Sequence, residues 1–233
     1  MLRDLKELKQ QGNSNGVDFV LLMIDGEGNM VAADSAERKQ AAITHRKWVD
    51  IAHYLGCHAI RCNLGGPRKG WESEKDEIVK RAADSFGQLL EYSSESGLNV
   101  VIENHGGASS DPGVLSAIMK QVDHPRFGTL PDFGNLNDGA DPYEVVGQLM
   151  PWAHGVSVKA QWNPLWRHPI YDLTRLIKIC KDAGYSGYWG IESGFGVRSG
   201  MTWQDLGEDQ IWHSELSAVL RTKKVIEKTL GLV

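Results

Sequence analysis

Acidic side chains recur at the ends of short apolar runs, each just before a glycine-containing or polar loop. Glu103 follows Val-Val-Ile, Asp132 follows Leu-Pro, and Glu192 follows Gly-Ile. Three carboxylates that converge cannot all stay ionised and unpaired without a large electrostatic cost. A divalent cation would remove that cost, and oxygen ligands suit Mg²⁺ or Mn²⁺, with Zn²⁺ or Co²⁺ as alternatives. The alternative is a purely structural role, in which each acid pairs with Arg61, Lys159 or a backbone amide.

Other polar side chains occupy similar positions. Lys159 ends a further apolar run and can stabilise a developing oxyanion or carry a proton, or it can simply be a counter-ion for the acids. Arg61 and Asn63 can bind a phosphate or hydroxyl group of a substrate, although an arginine at a strand end is often a structural partner. His105, two residues beyond Glu103, can contact substrate oxygens or have no catalytic role.

Three tryptophans follow the runs that carry Lys159 and Glu192, namely Trp162, Trp166 and Trp203. An aromatic face can cover the apolar C–H surface of a sugar ring, so Trp162 is a candidate substrate contact. Packing beneath a long loop explains the same residues almost as well. Both interpretations remain open at the level of the sequence.

The elements that must position these residues alternate between short β-branched runs and stretches of helical period. This order predicts βα units around a parallel sheet, whose strands meet at one edge by their carboxyl ends. Because residues two apart on a strand share a face, Val101 and Glu103 point the same way, as do Gly190 and Glu192. The six predicted strands cover 17–25, 57–63, 98–103, 127–132, 155–159 and 188–192.

Helix signals fill the stretches between these runs. Ser73 followed by Asp76 resembles a capping box, and apolar residues then recur at helical spacing. Asp111-Pro112 and Asp141-Pro142 each place an aspartate at the N-cap and a proline in the first turn. Further helices are predicted at about 2–11, 36–55, 170–182 and 208–230.

The composition excludes several classes of protein. The chain has 233 residues and a formal net charge of -5, so it lacks the basic excess that nucleic-acid binding requires. Its charged start and the absence of an apolar run near ~18 residues predict a cytoplasmic protein without a membrane anchor. Cys57, Cys62 and Cys180 form no C-x-x-C pair and are odd in number, which predicts buried core thiols.

Four segments together resemble a known family. Ile-Glu103-Asn-His105, Pro-Asp132-Phe-Gly-Asn135, Val-Lys159-Ala and Asp182-Ala-Gly-Tyr-x-Gly-Tyr-x-Gly-Ile-Glu192 resemble, in this order, the sugar phosphate isomerase/epimerase family of xylose isomerase-like TIM barrels. The likeness extends over about 17–195. It implies an α/β fold of the TIM (β/α)8 type, forming a single domain over residues 1–233.

The resemblance also implies a chemistry. Glu103, Asp132 and Glu192 match three of the family's metal ligands, and Glu103 and Glu192 match its acid and base on either side of a carbohydrate substrate. Lys159 is the third catalytic candidate. The implied reaction is a metal-dependent isomerisation or epimerisation by proton transfer through an enediolate. The fourth ligand is a histidine in the family but Ser157 here, so His105, Asn135 or water must complete the ligand shell, or metal affinity is reduced.

Three other functions remain open. The same enolising site could expel a leaving group, which would make the protein a lyase or hydrolase of a sugar derivative. The family's endonuclease branch fits less well, because phosphodiester cleavage calls for more histidines and a basic surface. A non-catalytic binding or scaffold barrel with a degraded site is the third alternative, and Ser157 is the feature that favours it.

The sequence predicts fewer strands than the eight of a complete TIM barrel. When aligned by their acids, the six strands correspond to the third to eighth of an eight-stranded barrel. About 50 residues at the N-terminus are then expected to be missing relative to the family, judging from βα units of roughly 30 residues or more. We expect the gap to be tolerated, filled by the partner subunit of a homo-oligomer, or closed by a rearranged first strand.

Overall fold

A computed structural model describes residues 2–163, 167–168, 170–195 and 207–233. In these ranges strands and helices alternate as predicted, and the chain divides into two compact units, Met1–Leu130 and Pro131–Val233. The prediction of one domain over 1–233 stays a prediction. No helix in the described ranges is long and apolar enough to cross a membrane.

The strands are β1 (Leu21–Ile24), β2 (Ala59–Cys62), β3 (Asn99–Glu103), β4 (Phe127–Leu130), β5 (Val156–Trp162) and β6 (Trp189–Phe195). The helices are α1 (Leu2–Ser14), α2 (Ser35–Leu55), α3 (Lys75–Ser93), α4 (Pro112–Val122), α5 (Pro142–Leu149), α6 (Leu173–Asp182) and α7 (Glu208–Leu230).

The first unit contains a parallel sheet of order β1-β2-β3-β4. Arg61 lies opposite Val101, and Glu103 lies opposite Leu130, so these four side chains share one face of the sheet. Val101 and Leu130 belong to a small buried cluster with Ala59 on that face. The predicted alternation therefore holds, with apolar side chains along the strands and polar ones at their carboxyl ends.

Aspartate caps begin several of the helices. The carboxylate of Asp111 accepts hydrogen bonds from the main-chain N–H groups of Gly113 and Val114, and that of Asp141 accepts one from Tyr143, as predicted. The predicted capping box at Ser73 is wrong. Ser73 lies within a 3-10 turn that precedes α3, and its hydroxyl donates to the carbonyl of that turn's N-cap glycine instead of capping the helix.

The second unit pairs β5 with β6 in parallel, and α5, α6 and α7 supply side chains to its apolar cluster. Each strand has seven residues and continues three residues beyond Lys159 and Glu192, where the sequence predicts it to end. Ala160 and Trp162 are buried in the apolar cluster of this unit, which explains why β5 continues. The lysine and glutamate therefore lie within a ribbon and not at its end.

The three cysteines are free and buried, as predicted. Burial raises the pKa of the Cys180 thiol to about 12, so it stays protonated at neutral pH. Cys62 is fully shielded from solvent, and its pKa is also raised by burial. All three behave as small apolar groups of the core.

The cluster of the second unit predicts a matched pair of stability effects. Leu176 on α6 is fully buried in that cluster, so Leu176→Ala is expected to lower the free energy of unfolding by about 2–5 kcal/mol. Lys178→Ala changes an exposed residue of the same helix and should cost less than about 0.5 kcal/mol. Urea unfolding measures both values. Equal unfolding midpoints for the two variants would contradict the packing described.

Candidate functional site

Two carboxylates of the second unit meet around one serine. Asp132 forms a parallel bridge with Ser157, while Ser157 lies opposite Gly190 and Lys159 opposite Glu192, so their side chains share a face. The hydroxyl oxygen of Ser157 is 2.7 Å from Oδ2 of Asp132 and 3.3 Å from Oε2 of Glu192. The two acids each offer a carboxylate oxygen within 4.8 Å of the other's. The register of neighbouring strands thus concentrates negative charge at one point.

Lys159 is the cation next to these acids. Its ammonium nitrogen lies 2.6 Å from Oε1 of Glu192 and 3.9 Å from Oδ2 of Asp132, and it donates to Oδ1 of Asn135 at 3.1 Å. The stem of the lysine passes over Gly134, where a Cβ atom would come within 2.8 Å of Lys159 Cδ. A side chain at position 134 would therefore force the stem of the lysine to shift from the path that it takes to the acids.

Asp132 is fully buried, and hydrogen bonds hold its carboxylate in one orientation. Its Oδ1 atom accepts hydrogen bonds from the main-chain N–H groups of Gly134 at 2.8 Å and Asn135 at 2.7 Å. Burial raises the pKa of Asp132 above its ordinary value, against the opposing effects of the Ser157 hydrogen bond and the Lys159 charge. A bound cation would relieve the same desolvation cost, so this carboxylate is suited to metal ligation.

Arg61 and Glu103 form a buried ion pair in the first unit. Nε of Arg61 lies 3.0 Å from Oε2 of Glu103, and the two side chains are only 4% and 1% exposed. The Nη1 atom of Arg61 also contacts Oδ1 of Asp25 at 2.8 Å and Oδ1 of Asn63 at 3.0 Å. The arginine predicted to bind substrate is therefore engaged by the protein's own acids, which matches the structural alternative left open by the sequence.

Asp25 is a member of this network that the sequence reasoning missed. Its Oδ1 atom accepts from Nδ2 of Asn63 at 2.6 Å, and the hydrogen bond from Arg61 is the largest influence that lowers the pKa of this carboxyl. A signal was available, because Asp25 directly follows the first strand much as Glu103 ends the third. Asn63 is positioned by this interaction and lies half-buried beside the loop that follows β2.

His105 lies half-buried on the loop after β3. Its main-chain N–H donates to the Ser109 hydroxyl at 2.9 Å, and its carbonyl accepts from Nη1 of Arg68 at 2.8 Å. His105 and Asn63 line a cleft of about 230 Å³ together with Arg68 and Ser109. The last two residues were not predicted, although paired glycines on both loops indicate backbone that must pass close to a neighbour.

Trp162 lies in the interior of the second unit. Its side chain is 5% exposed within the apolar cluster, and Nε1 donates to the hydroxyl of Thr222 at 2.9 Å. This position agrees with the packing alternative and not with a role as an open aromatic face for a sugar. Trp166 and Trp203 lie outside the described residues.

The predicted site residues thus fall into two groups. Asp132, Lys159 and Glu192 come together with Ser157 in the second unit. Arg61, Asn63 and Glu103 come together in the first unit, with His105 on the adjoining loop.

Comparisons with known proteins agree with this arrangement of strands. The chain has 18% identity to a D-tagatose 3-epimerase-like protein (99% of this chain and 84% of that chain covered, TM-score 0.73). It has 19% identity to D-psicose 3-epimerase from Clostridium cellulolyticum H10 (95% and 83% covered, TM-score 0.73) and 12% to 3-keto-D-glucoside 4-epimerase from E. coli (95% and 85% covered, TM-score 0.71). No curated protein matches the sequence.

A family model also matches the chain. The model of a family described as xylose isomerase-like TIM barrel matches residues 2–210, which is most of the chain. Both the predicted fold class and the predicted family are confirmed by this match. The chain belongs to the xylose isomerase-like TIM barrel family.

Proposed function

We propose that this protein is a divalent-metal-dependent isomerase or epimerase of a sugar or sugar derivative, acting by proton transfer through an enediolate. The observation that carries the proposal is the pair of carboxylates, Asp132 and Glu192, that share Ser157 and face Lys159. Such a group can both hold a cation and move a proton beside a carbonyl. Solved structures of similar fold bear the names of ketose and keto-glucoside epimerases, which supports the same class of reaction.

The donor chemistry of the second unit fits a hard divalent cation. Asp132, Glu192 and Ser157 offer only oxygen atoms, which favours Mn²⁺ or Mg²⁺ over Zn²⁺ or Co²⁺. The amide hydrogen bonds to Oδ1 of Asp132 orient the carboxylate, as outer partners of metal ligands generally do. We propose Glu103 as the third carboxylate ligand, as the sequence resemblance implies. When bound, the cation supplies Lewis-acid polarisation of the carbonyl and hydroxyl oxygens of the substrate.

Glu192 is the residue we propose to exchange protons with the substrate. Its side chain is 50% exposed, so a substrate can reach it, while Lys159 at 2.6 Å fixes the direction of its carboxylate. Removal of a proton from the carbon beside a carbonyl creates negative charge on the carbonyl oxygen of the substrate. The ammonium group of Lys159, which lies beside the acids, can stabilise that charge. Glu103, held by Arg61, is the proposed partner for the opposite face of the substrate.

A non-catalytic barrel is the second candidate, because Ser157 stands where the family has a histidine ligand. The hydroxyl of Ser157 nevertheless contacts both acids, so the position remains part of a connected polar group. The two candidates differ in proton exchange and in metal binding, and each difference can be measured separately.

Proton exchange tests the catalytic proposal. Wild-type protein supplied with Mn²⁺ is expected to introduce solvent deuterium into at least one member of a panel of keto sugars and keto-glycosides. Glu192→Gln should lower that rate by about 100-fold or more, because an amide cannot accept the substrate proton. Glu144→Gln changes an exposed acid of the same unit and should leave the rate unchanged. Mass spectrometry measures the exchange, and a rate unaffected by Glu192→Gln would remove this residue from the mechanism.

Metal binding and its pH dependence test the ligand proposal. Chelator-treated protein should bind about one Mn²⁺ per chain, and Asp132→Asn should weaken binding by about tenfold or more, whereas Asp138→Asn, at an exposed position, should not. Because the pKa of Asp132 is raised, protons compete with the cation at a higher pH than at an ordinary aspartate. Affinity is therefore expected to fall as the pH is lowered from 7.5 to 5, measured by calorimetry. Absence of stoichiometric metal at pH 7.5 would contradict the proposal.

A further inference from the structure

The cleft that contains Asn63 and His105 is formed within the first unit by two glycine-rich loops, 63–68 after β2 and 105–109 after β3. Its volume of about 230 Å³ is below the ~300–1,000 Å³ typical of pockets that enclose a drug-sized ligand. The cleft therefore suits a small polar group or a single sugar and not a whole oligosaccharide. We call it the loop cleft.

Glycines are frequent in the two loops of the loop cleft, and Gly65, Gly66 and Gly106 line it. Gly65, Gly66, Gly106 and Gly107 have positive φ angles of 80°, 85°, 91° and 61°. At Gly106 a Cβ atom would lie 1.9 Å from Nη1 of Arg68, so the guanidinium rests directly against this glycine. The absence of a side chain at Gly106 lets the arginine lie against this loop.

Arg68 brings positive charge to the loop cleft. Arg68 is exposed, and one of its five N–H donors is directed to the carbonyl of His105, which orients the guanidinium toward that loop. The nearby carboxylate of Asp25, which interacts electrostatically with His105, is already bound by Arg61 and Asn63. A guanidinium held in this way at a small polar cleft matches the flat, two-oxygen edge of a phosphate or carboxylate.

We propose that the loop cleft binds a terminal oxyanion of the substrate, a phosphate or a carboxylate, through Arg68. This inference rests on the proposed function for the identity of the rest of the ligand, which is a sugar. It assigns the substrate to the anionic sugars, and it places the charged end beside Asn63 and His105 at the carboxyl ends of β2 and β3.

Calorimetric titration with three matched ligands tests the proposal: D-fructose, D-fructose 6-phosphate and a keto-hexuronate. Wild-type protein should bind at least one of the two anions about tenfold or more tightly than D-fructose, and Arg68→Ala should remove that advantage. Arg68→Gln, which keeps a donor for the His105 carbonyl, should also remove it if the charge is what matters. The two anions distinguish a phosphate site from a carboxylate site.

Lys69→Ala is the matched control, because it removes the same charge one residue away, outside the lining of the loop cleft. The proposal is overturned if Lys69→Ala weakens anion binding as much as Arg68→Ala does, or if neither anion binds better than D-fructose. Deuterium exchange separates this result from the proposed function. Exchange into neutral sugars without an anion preference refutes the loop cleft alone, whereas an Arg68-dependent preference without exchange into any sugar refutes the isomerase alone.

Discussion

Burial of a carboxylate away from water is the constraint on which the polar parts of both units depend. An isolated ionised carboxylate in a low-dielectric interior is so unfavourable that it must be paired, hydrogen-bonded or protonated. The first unit satisfies this requirement for Glu103 with the guanidinium of Arg61. The second unit satisfies it for Asp132 with two main-chain amides and the Ser157 hydroxyl, and with Lys159 farther away. The two solutions have different chemical consequences.

Arg61 lies directly beside Glu103, and the same arginine also contacts the exposed carboxylate of Asp25. Lys159 is likewise shared, because it lies 2.6 Å from Glu192 and 3.9 Å from Asp132. Burial raises the pKa of Asp132, and the more distant charge of Lys159 only partly opposes that shift. A divalent cation beside Asp132 would relieve the cost of burying this carboxylate.

The faces of the strands could be predicted from the sequence because side chains alternate on a strand and parallel register aligns neighbouring strands. Alternation predicts that Glu103 shares a face with Val101 and Glu192 with Gly190, and the register agrees. Alternation does not predict that Arg61 contacts both Glu103 and Asp25, since the partner of an arginine depends on distances between segments far apart in sequence.

Packing on remote helices was equally inaccessible from the sequence. Trp162 is held by Thr222, sixty positions later in the chain, and nothing close to the tryptophan in sequence predicts that contact. The aspartate caps at Asp111 and Asp141 were predictable because they depend on residues within a single turn. Ser73 shows the limit of such local rules, because an intervening 3-10 turn displaced the start of the helix.

Thr222 on α7 links the two strands of the β5–β6 ribbon. Its hydroxyl contacts Nε1 of Trp162 on β5 and, at 2.6 Å, the hydroxyl of Ser193 on β6. The hydroxyl of Thr222, a fully buried residue of α7, thus forms hydrogen bonds with both strands just beyond the Lys159–Glu192 pair. We expect a displacement of α7 to move the two strands together, because both are bonded to the same hydroxyl. The spacing between Lys159 and Glu192 is then expected to depend little on the position of the C-terminal helix.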